Sequence, residues 1–305
     1  MRNALIIVFL LNLLCAQSNE PQVAPTNPDF VKYQEDKKKG LIHKINSEGY
    51  SNGIIPHPTD YKIDIPRNYK VATLPARYDL RDDSFVTPVE DQGQCGSCWI
   101  FASIGSIESY WKKLGLGSFD LSEKNAATEN GFEGDPCDGG NAKQLTPYLI
   151  RGDGPISEAD DQYDLGKTLY SPSSNPQGIV TEARFLPNDR DVIKQSITDH
   201  GGIYSSFWWF GEFNTHYNNV NDTYFYSSNP TDTTDAGHAI VLVGWDDNMI
   251  TAGGTGAWIV KNSWGNGFGE NGYFYISYQD VFLHSGIVAC WPGRLNYNEH
   301  STIYY

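Results

Sequence analysis

The hydrophobic period of this chain changes once along its length, and that change constrains the fold more than any other feature. Ile100, Ile104, Ile107 and Trp111 recur at helical spacing, Ser122 ahead of Glu123 has the pattern of a helix cap, and Asn141 to Ile150 reads as a third helix. Further on, the apolar runs His238 to Trp245, Ala257 to Val260 and Tyr273 to Tyr278 are separated by turns rich in Gly, Asp and Asn, and these runs read as strands. Helices followed by strands predict an α+β protein, with room for two lobes and a cleft between them. At 305 residues and 39% hydrophobic content, a sizeable core is within reach. No internal repeat or low-complexity tract interrupts it.

Arg2 precedes the apolar run Ala4 to Ala16, and small and polar residues follow at Gln17 and Ser18. The pattern predicts a signal peptide over residues 1–18. A membrane anchor is the alternative, but the run is broken by Asn12 and is shorter than the roughly 20 residues a span needs. No later stretch reaches that length, so the mature chain is expected to have no membrane span and to follow the secretory pathway. Asn221-Asp222-Thr223 is then a usable glycosylation sequon at Asn221. The net charge of −15 argues against nucleic acid as a partner, because phosphate binding needs a concentrated basic surface.

Residues 19–74 are polar, carry Lys37 to Lys39 and end among Pro56, Pro58 and Pro66, which suggests a pro-segment or a disordered arm. A different texture begins at Leu74-Pro75-Ala76-Arg77, so residues 75–305 are taken as the mature domain.

The chemistry centres on Asp91-Gln92-Gly93-Gln94-Cys95-Gly96-Ser97-Cys98-Trp99, which runs directly into the first helix. Cys98 therefore sits at a helix N-terminus, where unpaired N–H groups and the macrodipole favour a thiolate. A Cys-x-x-Cys pair also occurs in zinc and redox sites. Those need further ligands or a preceding parallel βα unit, and neither context is evident. Losing Cys15 with the signal leaves Cys95, Cys98, Cys137 and Cys290, and four cysteines can equally make two disulfides.

A nucleophilic thiol needs a base, and His238 stands out among the 7 histidines because it opens an apolar strand after the turn-like Asp235-Ala236-Gly237. A structural role is the plain alternative. Asn262, in Lys261-Asn262-Ser263-Trp264-Gly265, tips the balance, because it can accept the histidine N–H while Trp264 shields the pair from water.

Together these segments resemble the papain family of cysteine proteases, whose pattern is C-G-[SA]-C-[WY] with His and Asn about 130 to 150 residues downstream. Cys95-Gly96-Ser97-Cys98-Trp99 matches it, His238 falls within that range, and Asn262 lies somewhat beyond it, a difference assigned to a loop over Asp246 to Gly256. The resemblance implies a two-lobed fold: a helical left lobe over about residues 88–185, an antiparallel β-barrel-like right lobe over about 186–305, and the active-site cleft between.

The resemblance also implies roles for particular residues. Cys98 is the nucleophile, His238 the general base and acid, and Asn262 the residue that orients His238. Gln92 and the Cys98 N–H form the oxyanion hole. Gly139 and Gly140, in Cys137-Asp138-Gly139-Gly140, bind substrate together with Trp264. Cys95 pairs with Cys137, which leaves Cys98 free. No metal or organic cofactor is expected, and the partners are peptide or protein substrates and the chain's own pro-segment as inhibitor. The expected setting is lysosomal, vacuolar or extracellular.

Four features depart from the family pattern: Ile100 in place of a small residue, Asn141 and Ala142 after the glycine pair, the unpartnered Cys290, and no evident long helix in the pro-segment. A catalytically silent binding protein and a cysteine acyltransferase are the competing functions.

Overall fold

The computed structural model describes residues 25–42, 45, 49, 51–59, 72–164, 175–208, 213–227, 237–284 and 288–296. The expected signal peptide lies outside them. In chain order the elements begin with helix α1 (Pro28–Lys39), strand β1 (Arg77–Asp79), and helices α2 (Cys98–Lys113), α3 (Glu123–Thr128) and α4 (Ala142–Arg151). They continue with β2 (Ile179–Val180), β3 (Arg184–Leu186), α5 (Arg190–His200), β4 (Ile203–Trp208), α6 (Phe213–His216), β5 (Tyr217–Asn218) and β6 (Thr223–Tyr224). The last are β7 (Gly237–Thr251), β8 (Gly254–Lys261), β9 (Tyr273–Ser277), β10 (Val288–Cys290) and β11 (Arg294–Leu295).

The architecture is α+β. Helix α2 buries nearly every side chain from Cys98 to Ser109 because it lies in the centre of the molecule, packed against α3 and α4 on one side and β7 on the other. Ser122 caps α3 by accepting the Asn125 N–H at 3.0 Å. Asn141 and Gln144 form a reciprocal capping box at the start of α4.

The main sheet has the order β3-β10-β4-β7-β8-β9-β6-β5, with β1 paired to β7. It does not close on itself among the described residues, so the expected barrel-like lobe is an open sheet. It is antiparallel except where β6 pairs parallel with β9. Two short pairings cross the lobe boundaries suggested by the sequence: β1 joins the sheet ahead of the helices, and β11 returns to pair with β2. The expected loop over Asp246 to Gly256 is instead a long hairpin, because β7 runs on to Thr251 and β8 starts at Gly254, with a register shift between Asp246 and Ile250. The extra residues are absorbed as strand.

Helix α1 forms within the arm that precedes β1, where the sequence showed no evident helix. Asn27 accepts the Asp29 N–H, Pro28 opens the first turn, Gly40 ends the helix at φ 70°, and Lys37, Lys38 and Lys39 complement its C-terminal dipole. Tyr33 is buried, and Lys37 reaches Asp138 at 3.5 Å. The arm then crosses the cleft: Ile54 bridges Gly140 in parallel and Gly237 in antiparallel sense.

Candidate active site

Cys98 is the first residue of α2, held there by close backbone packing. A Cβ on Gly96 would lie 2.5 Å from the Cys137 carbonyl oxygen, so only glycine allows the Gly96 N–H to reach that oxygen at 3.2 Å. Cys95 and Cys137 form a disulfide beside it, while Cys98 and Cys290 are free and buried.

His238 comes from β7, and the next residue places its N–H on the Cys98 sulfur: Ala239 N lies 3.4 Å from Cys98 Sγ. The imidazole stacks on Trp264 at 4.5 Å between ring centroids and meets the edge of Phe207 at 5.9 Å. Its Nε2 lies 2.7 Å from Asn262 Oδ1, which also accepts the Ser263 N–H at 2.9 Å. Two donors on one oxygen assign it as the amide carbonyl, so Nε2 carries the proton. In the neutral ring Nδ1 then has the free lone pair, and it has no hydrogen-bond partner among the described residues.

Gln92 is clamped at every polar atom. Its N–H donates to Ser263 O at 2.9 Å, its Oε1 accepts from Ser263 Oγ at 2.6 Å, and its carbonyl accepts from Tyr163 Oη at 2.9 Å. The Ser263 hydroxyl fixes the amide so that Nε2 donates to Cys95 O and to Ser51 O, both at 2.8 Å. The second acceptor is part of the arm.

The glycine strip binds the same arm as an added strand. Gly140 N donates to Gly53 O at 2.8 Å and Ile55 N donates to Gly140 O at 2.9 Å, while Ile54 N donates to Gly237 O at 2.9 Å. A Cβ on Gly139 would lie 2.6 Å from Gly53 O, and one on Gly140 would lie 2.5 Å from the Trp99 ring. Both positions therefore need glycine for this approach. Trp264 lies against His238 in this state. Asn221 stands in an exposed turn between β5 and β6, its Oδ1 accepting from the Thr223 hydroxyl at 2.8 Å.

Burial decides the protonation states while the arm is docked. Cys98 and His238 both have zero exposure. Desolvation pushes the Cys98 thiol up to about 12, against the pull of N–H groups from Ala239, Gly53, Trp99 and Cys98 itself. Desolvation also lowers His238 to about 4, with the Asn262 hydrogen bond opposing it. The thiolate expected from the helix N-terminus does not prevail here, because the covering arm removes the water that would solvate it.

Behind Asn262 lies a buried polar cluster that the sequence reading missed. Lys261 Nζ donates to Thr87 Oγ1 at 2.9 Å, and Thr87 Oγ1 donates to Glu108 Oε2 at 2.6 Å. Burial pushes Glu108 up to about 7 and raises Glu123 well above the carboxylate range. Among the described residues no group of three His, Cys, Asp or Glu is placed to hold a metal.

This geometry joins a cysteine, an asparagine-oriented histidine and a glutamine amide at one point between α2, β7 and β8. The family model described as papain family cysteine protease matches residues 74–289. The chain belongs to the papain family of cysteine proteases. Its relatives include cathepsin J of Mus musculus, 30% identical over 240 residues that cover 77% of this chain and 70% of that protein.

Among solved structures, the cysteine protease and lectin-like domains of Cwp84 from Clostridium difficile superpose with a TM-score of 0.73 at 27% identity, covering 90% of this chain and 61% of that one. The digestive procathepsin L2 of Tenebrio molitor shares the fold, with a TM-score of 0.64 at 24% identity over 86% of this chain and 88% of that one. The chain is accordingly a papain-like cysteine peptidase. No helix among the described residues is long and apolar enough to cross a membrane.

The sequence reading missed the arm's contact residues Ser51 to Ile55, the Gln92 clamps Ser263 and Tyr163, and Gly237. The one available signal for the arm was the Asn52-Gly53 turn pair followed by two isoleucines in an otherwise polar stretch.

Proposed function

We propose that residues 75–305 form a peptidase held latent by residues 19–74, and that cleavage near residue 74 releases it in a secretory compartment, lysosomal, vacuolar or extracellular. One observation carries the latency: the arm is hydrogen-bonded to both Gly140 and Gly237 across the cleft, through Gly53, Ile54 and Ile55, while Ser51 O takes the Gln92 amide.

In the open cleft, the Cys98 thiolate attacks a scissile carbonyl, and Gln92 Nε2 and the Cys98 N–H hold the oxyanion. His238 Nδ1 passes its proton to the leaving amine, and Asn262 on Nε2 keeps the ring in plane. Water then gives a proton to the neutral Nδ1 and hydrolyses the thioester, which restores thiol and base. Gly139 and Gly140 pair with the extended substrate, and Trp264 excludes competing water from the imidazole.

The test is hydrolysis of a fluorogenic peptide panel under reducing conditions, before and after maturation, alongside Cys98→Ala. Thiol-dependent cleavage that rises on maturation and vanishes in the variant supports the proposal. Equal activity before and after maturation removes the inhibitory role of the arm, and no cleavage at all removes the peptidase reading.

A further inference from the structure

Tyr163 lies outside every motif discussed above, yet its hydroxyl touches the catalytic loop at two points. Oη lies 2.9 Å from the Gln92 carbonyl and 2.7 Å from Ser97 Oγ, the side chain immediately before the nucleophile. A carbonyl can only accept, so Tyr163 gives its one proton to Gln92 and must itself accept from Ser97. The polarity of the relay is thus fixed: Ser97 to Tyr163 to Gln92. Burial holds the phenol above its ordinary range, which keeps it a donor wherever the enzyme operates.

The loop that carries Tyr163 is anchored along its length. Glu158 N donates to Asp120 O at 2.9 Å, and Ser157 bridges Leu121. Glu158 Oε1 accepts the Tyr163 N–H at 2.6 Å, and Ser122 Oγ donates to Asp161 O at 2.6 Å. The buried Lys124 holds Asp161 at 3.1 Å and Asp164 at 2.8 Å. The ring meets Phe101 of α2 edge-on at 4.8 Å. These ties leave the hydroxyl little freedom, and it gives the Gln92 carbonyl its shorter hydrogen bond, at 2.9 Å against 3.4 Å from the Cys95 N–H.

We propose that Tyr163 is a positioning residue that fixes the oxyanion loop, holding Gln92 and the start of α2 in register through its hydroxyl. The proposal rests on Gln92 being the oxyanion donor. It works through orientation alone: without the bond the Gln92 carbonyl keeps only the long Cys95 N–H contact, the loop loosens on that side, and the amide meets the developing negative charge in a poorer geometry.

The test uses Tyr163→Phe, Gln92→Ala and the double variant in the full chain, matured identically, with working sites counted by a thiol-directed epoxide. The loss of one neutral hydrogen bond predicts that Tyr163→Phe lowers kcat by up to about tenfold and leaves KM within about twofold. In the Gln92→Ala background the same change should cost less than about twofold, because the residue it acts through is gone. Ser97→Ala, which removes only the first donor, should show a smaller loss with the same dependence on Gln92, and it carries the test if Tyr163→Phe fails to fold. An unchanged kcat, an effect on KM alone, or equal losses in both backgrounds overturns the proposal. Full activity in Gln92→Ala alone would instead remove the oxyanion assignment on which it rests.

Discussion

Gly53→Ala should unlock the latent chain. A Cβ on Gly53 would lie 1.8 Å from Gly96 O and 2.4 Å from Gly96 C, both backbone atoms in the rigid turn before α2. Since real contacts stop near 3.0 Å, the arm must retreat by about 1.2 Å. Gly53 does not use the left-handed backbone region, so this clash is the whole cost of the change. A retreat of that size stretches the bonds Gly140 N to Gly53 O, Ile55 N to Gly140 O and Ile54 N to Gly237 O, now 2.8 to 2.9 Å, beyond hydrogen-bond reach. Three bonds at about 1 kcal/mol each shift the docked-to-open ratio by about 3 kcal/mol, or somewhat more than a hundredfold. The assay is the early rate at which a thiol-directed epoxide labels Cys98 in the full-length chain, read by intact mass, with the thermal midpoint as a control for the body. Labelling should accelerate by about two orders of magnitude. An unchanged rate in a folded variant would mean that the arm does not guard the thiol, and the reasoning would fail.

Three further outcomes follow from the charges. His57, in the docked arm, is held below its ordinary 6.5 by burial and by Lys143, against the Thr59 carbonyl, so docking favours its neutral form and release of the arm takes up protons as pH falls. Its share of docking is present above about pH 6.5 and is lost as pH falls. His57→Gln should therefore narrow the rise in Cys98 labelling on acidification, measured as the ratio to the parent at each pH, and a constant ratio contradicts this. Glu108 holds its proton up to about pH 7 against an ordinary 4.5, so its contribution to stability is full below 4.5 and fades as pH rises through 7. Thermal midpoints should climb on acidification from neutral pH, less steeply in Glu108→Gln, and identical slopes would refute the assignment. Lys261→Met takes the donor from the buried Thr87 hydroxyl while Glu108 and Glu123 hold their protons in the acid range, so it should destabilise by only about 1 to 3 kcal/mol in chemical denaturation at about pH 5, whereas a loss above about 4 kcal/mol would show that the carboxyls are ionised.

The parts of the site that could be read from the sequence are those tied to local pattern. Cys98 sits where a glycine turn meets a strong helical period, and Ser122 and Asn141 sit at positions where short polar side chains cap helices. Asn262 follows an apolar strand closely enough for its partner to be inferred. Strand pairing carries no such mark. The recruitment of β1 to β7 and the return of β11 to β2 join residues far apart in the chain, and nothing in Arg77-Tyr78-Asp79 or Arg294-Leu295 names a partner. The hairpin from Asp246 to Gly256 contains polar residues at its bend, which reads as loop until the register is known. Tyr163 is one tyrosine among 19, and its role depends on an anchored loop rather than on its neighbours in sequence.

The disagreement between helix position and thiol protonation has a physical resolution that also supports the latency proposed above. A helix N-terminus is worth about 0.3 to 2 kcal/mol to a negative charge, whereas complete burial can move an ionisable group by several pKa units. With residues 51–55 across the cleft, desolvation wins, and Cys98 and His238 are both neutral. When the arm leaves, the Gly53 N–H goes with it, but water returns and the N–H groups of Ala239, Cys98 and Trp99 remain on the sulfur. The same dipoles then act without the opposing penalty, and the thiol can pass its proton to Nδ1. The thiolate's ultraviolet absorbance should accordingly be absent from the full-length chain at neutral pH and appear after maturation, with Cys98→Ala as the blank. A thiolate signal of equal size in both forms would show that the helix terminus outweighs burial, and latency would then rest on steric blockade alone.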